Sequence, residues 1–551
     1  MKRLLIIVAT AAPLAMACLP AAAWAAAGTT LAARTAAAVP AATPFTCSSV
    51  SVKAPAGTTV ESVTAVKQAA GTLTVPPVPP FTEPTVVQDV PAYCDVTVTL
   101  THPGVDDHAK VRVWLPEKGW NGRFQAVGGS AFAAGDYGVD RACAIKNGYA
   151  AATTDAGVGP YLDVAWALNS DGKVNTELLK NFADRSQHEM TVVAKQVIAK
   201  VYGKPASYSY WTGCSTGGRQ GYMEAQRHPG DYDGILANAP AINWDEYVVA
   251  TLWPQVVMNE EDTFLSPCEF NAFNEAAVKA CDPLDGASDG VIGDPATCRF
   301  DPRKLIGKTV ECEGAQEAIT AEDAAVVRKI WDGPRTTSGK KLWYGLPIGA
   351  GFDLAGTKVG DDGKRVGAPF PVPAFWVATW LKRQPAFDLS TITYAEFTKL
   401  FKQSQAEYDK IIGTDDHDLS AFRKSGGKLL TWHGQSDQLI PTLGTVDYRE
   451  RVEAANGGAR RVDDFYRLFL APGVAHCVGT TSTGPAPTDA LAALTAWVEQ
   501  GKAPRTLSAS IKDATGKTVT RDLCLYPAVS RYKGHGDPAD AASYTCVPAR
   551  H

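Results

Sequence analysis

Polar and apolar residues alternate strictly along Asp95-Val96-Thr97-Val98-Thr99-Leu100. A period of two predicts a β-strand with one face turned to a core. Val111-Arg112-Val113-Trp114-Leu115-Pro116 predicts a second strand, and Phe124-Gln125-Ala126-Val127 a third that runs into Gly128-Gly129-Ser130. Tyr149 to Thr154 predicts a fourth, ending at Asp155. From Glu189 to Tyr202 the period becomes helical, with Met190, Val193, Ala194, Val197 and Val201 on one face. Directly afterwards Ser207-Tyr208-Ser209-Tyr210-Trp211 alternates aromatic and small residues, as a strand entering a core does. A helix should then run to Arg227 and stop at His228-Pro229-Gly230. The apolar run Asp233–Ala237 ends this series.

Strand character returns at Lys428–His433 and Asp464–Leu470, and Ala490–Glu499 reads as an amphipathic helix. Strands alternating with helices predict an α/β fold, a mostly parallel sheet with helices on both faces. Between about Ile242 and Asp415 the rhythm breaks. That stretch reads as irregular, with four cysteines and many aromatics, among them Trp253, Trp331, Trp343, Phe375, Trp376 and Trp380. It is too long for a loop, and the expectation is an inserted lid domain. The organisation read from the pattern is a signal peptide over 1–25, a disordered Ala/Thr/Pro linker over 26–46, a first core part over 47–241, the lid over 242–415 and a second core part over 416–551. Val75 to Pro84 is proline-rich and reads as extended.

Composition adds little to this except where it bears on location. The chain has 551 residues, 45% hydrophobic and 20% charged, with a net charge of -5. So small a charge gives no support for a nucleic-acid or anionic-membrane partner. Lys2 and Arg3, the apolar stretch Leu4 to Leu19 and Ala23-Trp24-Ala25 have the layout of an export signal with its cleavage site. Pro13 and Pro20 interrupt the apolar run and argue against a membrane anchor. A lipoprotein with Cys18 as lipidated residue needs a closer motif than Leu14-Ala15-Met16-Ala17-Cys18. The mature protein is therefore expected outside the cytoplasm, periplasmic or secreted, in an oxidising compartment. Loss of Cys18 with the signal leaves eleven of twelve cysteines, an odd number, and none forms a C-x-x-C pair.

The candidate chemistry centres on Gly213-Cys214-Ser215-Thr216-Gly217. G-x-S-x-G between a strand and a helix is a nucleophile elbow: the tight turn needs small neighbours and lifts the serine hydroxyl off the sheet edge. A plain Gly-rich turn with an exposed serine is the alternative. A nucleophilic serine needs a base, and the base an orienting acid, in the chain order Ser, Asp or Glu, His. The histidines after the elbow are His228, His417, His433, His476, His535 and His551. His476 lies in a Gly-containing loop after a strand, where a base should sit. His433 reads as a structural histidine holding the acid loop. Asp437 follows a strand by a tight turn, whereas Asp463 and Asp464 precede one, at the wrong end of the sheet. Cys214 precedes the serine and Cys477 follows the histidine. A bridge between them would hold Ser215 and His476 side by side. Cys524 and Cys546 suggest a local staple in the C-terminal tail.

A second constellation is Asp282-Pro283-Leu284-Asp285-Gly286-Ala287-Ser288-Asp289-Gly290-Val291. Three carboxylates with two glycines suit a hard cation held by oxygen. A solvated acidic turn explains the same residues.

Cys214-Ser215, Asp437 and His476-Cys477 together resemble the tannase and feruloyl esterase family, from about Cys47 to Cys546. That family also includes an esterase of mono(2-hydroxyethyl) terephthalate. The resemblance implies an α/β-hydrolase core with a large lid, hydrolysis of aromatic acid esters, and a triad of Ser215, Asp437 and His476. It implies oxyanion donors at the Thr216 N–H and, in Gly128-Gly129-Ser130-Ala131, the Ala131 N–H. Relatives often have glycine at this second position, and a positive φ there would make alanine awkward. It also implies structural calcium on Asp282, Asp285, Asp289 and the carbonyls of Ala287 and Val291, in a loop bridged by Cys281 and Cys298. Cys47–Cys94 and Cys524–Cys546 match the family's terminal staples; Cys268–Cys312 follows by elimination, leaving Cys143 free. Hydroxycinnamate esters are the expected substrates, with galloyl and terephthalate esters as alternatives. Relatives that cleave terephthalate use a lid arginine, for which Lys382 and Arg383 are candidates; Trp376 and Trp380 are candidate stacking residues, with core packing, the commoner role of lid tryptophans, as the alternative. A non-catalytic binding protein on this fold would usually lack a triad member. No redox or nucleotide cofactor is expected, and the mature form should be free of the membrane.

Overall fold

A computed structural model describes residues 45–48, 50–76, 84–312 and 314–549. The signal, nearly all of the linker, Cys18 and most of the proline-rich stretch lie outside the described residues.

Nine strands form the main sheet: β1 (Thr59–Gln68), β2 (Tyr93–Thr101), β3 (Ala109–Pro116), β4 (Arg123–Val127), β5 (Ala150–Thr154), β6 (Tyr208–Cys214), β7 (Gly234–Asn238), β8 (Lys428–Gly434) and β9 (Tyr466–Ala471). Their spatial order is β1-β2-β3-β5-β4-β6-β7-β8-β9. The first three and β5 pair antiparallel, and every pairing from β5 through β9 is parallel. The alternation read in Asp95–Leu100 is real: Val96, Val98 and Leu100 are wholly buried, and Val96 and Val98 pair with Val113 and Val111. Helix α1 (Ser186–Tyr202) buries the face predicted for it. This is an α/β-hydrolase-type sheet.

Strand order reverses about β4, since β5 lies on one side of it and β6 on the other. In parallel sheets a crevice opens beyond the carboxyl ends of strands at such a point. Gly128–Ala131 leaves β4 there and Ser215 leaves β6 there, so topology alone brings these two segments together.

Between β7 and β8 the chain adds no strand to this sheet. The stretch is more helical than its irregular sequence predicts. It holds helices Trp244–Ala250, Trp253–Glu260, Pro267–Cys281, Ala321–Asp332 and Tyr394–Ile412. Capping boxes start two of them, Ser266 with Glu269 and Thr320 with Asp323. Its apolar side chains share one hydrophobic cluster with Phe132, Leu179 and Phe182 of the sheet-bearing part. After the helix Ala490–Gln500 the tail forms strands Thr506–Lys512 and Thr518–Cys524 and the hairpin Ala528–Tyr532 with Tyr544–Pro548, which the sequence reading left unassigned.

Five bridges join the described cysteines: Cys47–Cys94, Cys214–Cys477, Cys268–Cys312, Cys281–Cys298 and Cys524–Cys546. The expectation of a free Cys143 is corrected: Cys143 is disulfide-bonded. Among the described residues no helix is long and apolar enough to cross a membrane.

Candidate active site

Ser215 stands between β6 and helix α2 (Thr216–Arg227) at φ 61, ψ -122. A non-glycine residue there is strained, and the surroundings must hold it. They do so by backbone bonds: Ser215 N–H donates to Asn238 O at 3.1 Å, and Ser215 O accepts from Ala241 at 3.1 Å and Arg219 at 2.9 Å. The flanking glycines are required by space, because a Cβ on Gly213 would lie 2.4 Å from the Gly217 carbonyl carbon.

The loop after β4 packs on the start of α2. Gly217 N–H donates to Gly129 O at 2.9 Å, and the Thr216 hydroxyl donates to Ala131 O at 2.7 Å. Gln220, buried in α2, accepts from Gly129 N–H and donates to Ala134 O, both at 2.9 Å. Ala131 adopts φ 50, the left-handed conformation in which alanine is strained. Among the described residues the N–H groups of Thr216 and Ala131 donate no hydrogen bond. Two unused donors on linked segments beside a serine form a site for an anion or a polarised carbonyl.

Asp437 lies in the loop after β8 and is wholly buried. Its Oδ1 accepts from the N–H groups of Leu439 and Ile440 at 2.9 and 2.8 Å. Its Oδ2 lies 2.8 Å from His476 Nδ1 and 3.1 Å from His433 Nε2. Burial alone would raise this carboxyl's pKa, but the charges and hydrogen bonds of His476 and His433 hold it well below the ordinary range. An ionised carboxylate only accepts, so His476 Nδ1–H is the donor to it, and in the neutral imidazole Nε2 then keeps its lone pair. His433 also contacts Thr445 Oγ1 at 2.9 Å, as a residue that fixes the acid loop would. Gln438 Oε1 accepts from His476 N–H at 3.0 Å. Cys214–Cys477 then ties the segment of Ser215 to that of His476, with Cα atoms 6.0 Å apart. The rival Asp463 is engaged by Arg449 Nη2 at 2.5 Å.

Trp376 and Trp380 are wholly buried. They stack on each other at 5.1 Å, and Trp380 stacks on Phe132 at 5.0 Å, one residue beyond Ala131. They are core residues that buttress this loop. Lys382 and Arg383 pair with Glu396 and Glu407 of the helix Tyr394–Ile412.

The acidic loop is folded tightly on itself. Asp282 accepts from the N–H groups of Asp289 and Gly290, both at 3.0 Å, and Asp285 from Ala287 at 2.9 Å. Asp289 accepts from Val291 N–H at 3.2 Å and from Arg521 Nη2 at 2.6 Å. Burial, then the charges of Asp289 and Asp282, raise the Asp285 carboxyl to about 6. No choice of one oxygen from each aspartate brings all three within 4.8 Å. The all-oxygen donors and crowded negative charge fit a hard cation that would draw the carboxylates inward.

The sheet and its strand–turn–helix elbow are of the α/β-hydrolase type. Residues 94–547 match the family described as "Tannase and feruloyl esterase", and the chain belongs to that family. The "Probable feruloyl esterase" of Arthroderma benhamiae is 47% identical over 91% of this chain and 93% of its own length. The mono(2-hydroxyethyl) terephthalate hydrolase of Piscinibacter sakaiensis is 30% identical over 83% of this chain and 85% of its own. Among solved structures, tannin acyl hydrolase from Aspergillus niger is similar at a TM-score of 0.81 and 26% identity, covering 90% of this chain and 93% of that one.

Proposed function

We propose that this carboxylic ester hydrolase cleaves esters of hydroxycinnamic acids, with Ser215 as nucleophile, His476 as base and Asp437 as orienting acid. The observation that carries the triad is the buried Asp437 carboxylate on His476 Nδ1, with the Cys214–Cys477 bridge tying that histidine's segment to Ser215. His476 Nε2 takes the Ser215 proton as the hydroxyl attacks the ester carbonyl. The Thr216 and Ala131 N–H groups hold the oxyanion, each donor contributing about 10²–10³ in rate. The alcohol leaves with the proton from His476, and water activated by the same imidazole clears the acyl-enzyme. The helical stretch 242–415 serves as a lid whose aromatics brace the Ala131 loop. The export signal and the bridges support a periplasmic or secreted enzyme.

The hydroxycinnamate reading rests on the 47% identity to a protein named as a probable feruloyl esterase. Hydrolysis of methyl ferulate and methyl gallate, side by side, tests it. Ferulate should turn over far faster; preference for gallate would make the enzyme a tannase instead. Asp437→Asn should lower kcat by about 10⁴-fold while the fold is kept, because the amide favours the wrong His476 tautomer. Circular dichroism alongside the rate measurement checks both.

Calcium at Asp282, Asp285, Asp289 and the carbonyls of Ala287 and Val291 would be structural, outside every step above. Without the ion, the raised Asp285 pKa costs stability progressively as pH climbs from about 4 through about 6. Calcium should therefore raise Tm more at pH 7 than at pH 5, as thermal unfolding with calcium or with chelator will read. An equal or absent effect would count against the site.

A further inference from the structure

The far end of α2 carries a second cluster that the hydrolytic chemistry leaves unused. His188 lies in the first turn of α1, His228 just past the end of α2, and Asp231 in the turn before β7. One ligand atom from each falls within 4.8 Å of the others. The imidazoles of His188 and His228 stack at 4.1 Å, and His188 Nδ1 lies 2.6 Å from Asp231 Oδ2. His228 Nε2 is buried and without a hydrogen-bond partner; Asp184 Oδ2 stands 3.9 Å away and is itself engaged by Arg227 Nη1 at 2.7 Å.

An independent observation lies behind the cluster. Glu224, in the last turn of α2, is 1% exposed, and its carboxyl meets that of Asp231. A buried imidazole nitrogen with nothing to bond is costly, and a bound ion would satisfy it; Lys195, whose Nζ donates to the Asp231 carbonyl, already faces the two acids. The His188 side chain remains 38% exposed, which leaves a path for an ion.

We propose that His188, His228 and Asp231 form a zinc site, with the buried Glu224 carboxylic acid donating its O–H to Asp231 and water completing the coordination. Two imidazoles and a carboxylate are donors of the kind zinc takes. Around a tetrahedral zinc the donor atoms stand about 3.3 Å apart, so Asp231 must draw back from His188 Nδ1, now 2.6 Å away, and the stacked imidazoles must turn toward the ion. A hydrogen-bond donor behind a ligating carboxylate is a common support for such sites. The site joins the start of α1, the end of α2 and the approach to β7. Helix α2 carries the Thr216 N–H at its other end, about 18 Å away for twelve residues at 1.5 Å each. Zinc would therefore clamp the helix on which the elbow is built, without touching substrate.

The test uses the purified mature protein in calcium-containing buffer, so that the acidic loop stays loaded. After exposure to zinc chloride and dialysis, bound zinc is measured by mass spectrometry, and affinity by competition with a zinc-selective fluorescent chelator. About one zinc per chain and a higher Tm are expected. His188→Gln and His228→Gln should each weaken binding at least about tenfold. Asp285→Asn should leave zinc affinity unchanged, separating this site from the acidic loop. Should the histidine variants fail to fold, cobalt(II) added to the unmodified protein should give the intense visible bands of four-coordinate nitrogen and oxygen ligation. Absence of zinc with no shift in Tm, unchanged affinity in the folded variants, or a six-coordinate cobalt spectrum would each overturn the proposal.

Discussion

Replacing Ser215 with alanine should reduce kcat for ester hydrolysis by about 10⁵–10⁶-fold, while KM and thermal stability change little. The size of the loss follows from what remains. Without the hydroxyl no acyl-enzyme forms, and only the Thr216 and Ala131 donors still polarise a bound ester. Stability should hold or rise slightly, because Ser215 sits at φ 61 between elements that fix the turn by backbone bonds. A loss of only about tenfold would mean that the nucleophile is elsewhere.

The second large effect concerns Cys214–Cys477. Replacing both cysteines with alanine should lower stability by up to about 5 kcal/mol on the chain-entropy account, since the bridge closes a separation of 263 residues. Activity should fall more steeply than global structure. The bridge links the neighbours of Ser215 and His476, and a displacement of about 1 Å between reacting groups can cost about 10²-fold. The loss should appear in kcat, with KM nearly kept. Denaturant titration and steady-state kinetics on the double variant measure both. Unchanged kcat would show that Gln438 and the Asp437 loop place His476 unaided.

The bridge was legible in the sequence for the same reason that it matters: its cysteines adjoin the two residues whose chemistry depends on distance. Period-two patterns also located β2 and β3, because along Val96–Leu100 and Ala109–Val113 buried residues alternate with less buried ones. The edge strand Thr59–Gln68 was not legible: most of its residues are exposed, so it has little apolar signal. Helices between β7 and β8 went unread although Ser266-Pro267-Cys268-Glu269 carries a capping box, because the surrounding cysteines and turns mask their period. Asp437 and His476 could be chosen by their place after strands. Gln220 and Gln438 could not, since they act on backbone groups 91 and 38 residues away, and a lone glutamine gives no sign of such a partner. The strain at Ala131 was foreseeable only as a condition, and the structure places it at φ 50. His188 and His228 lie 40 positions apart in sequence, and only the packing of α1 against the end of α2 stacks them.

The measurement that tests the central claim most directly is covalent trapping with a fluorophosphonate, followed by intact-mass analysis and peptide mapping. One adduct per chain is expected, on the peptide that contains Ser215, with hydrolysis of methyl ferulate lost in proportion to labelling. The Ser215→Ala variant should take up none. An adduct on another residue, or full ester hydrolysis in a protein whose Ser215 is fully labelled, would contradict the assignment of Ser215 as the nucleophile.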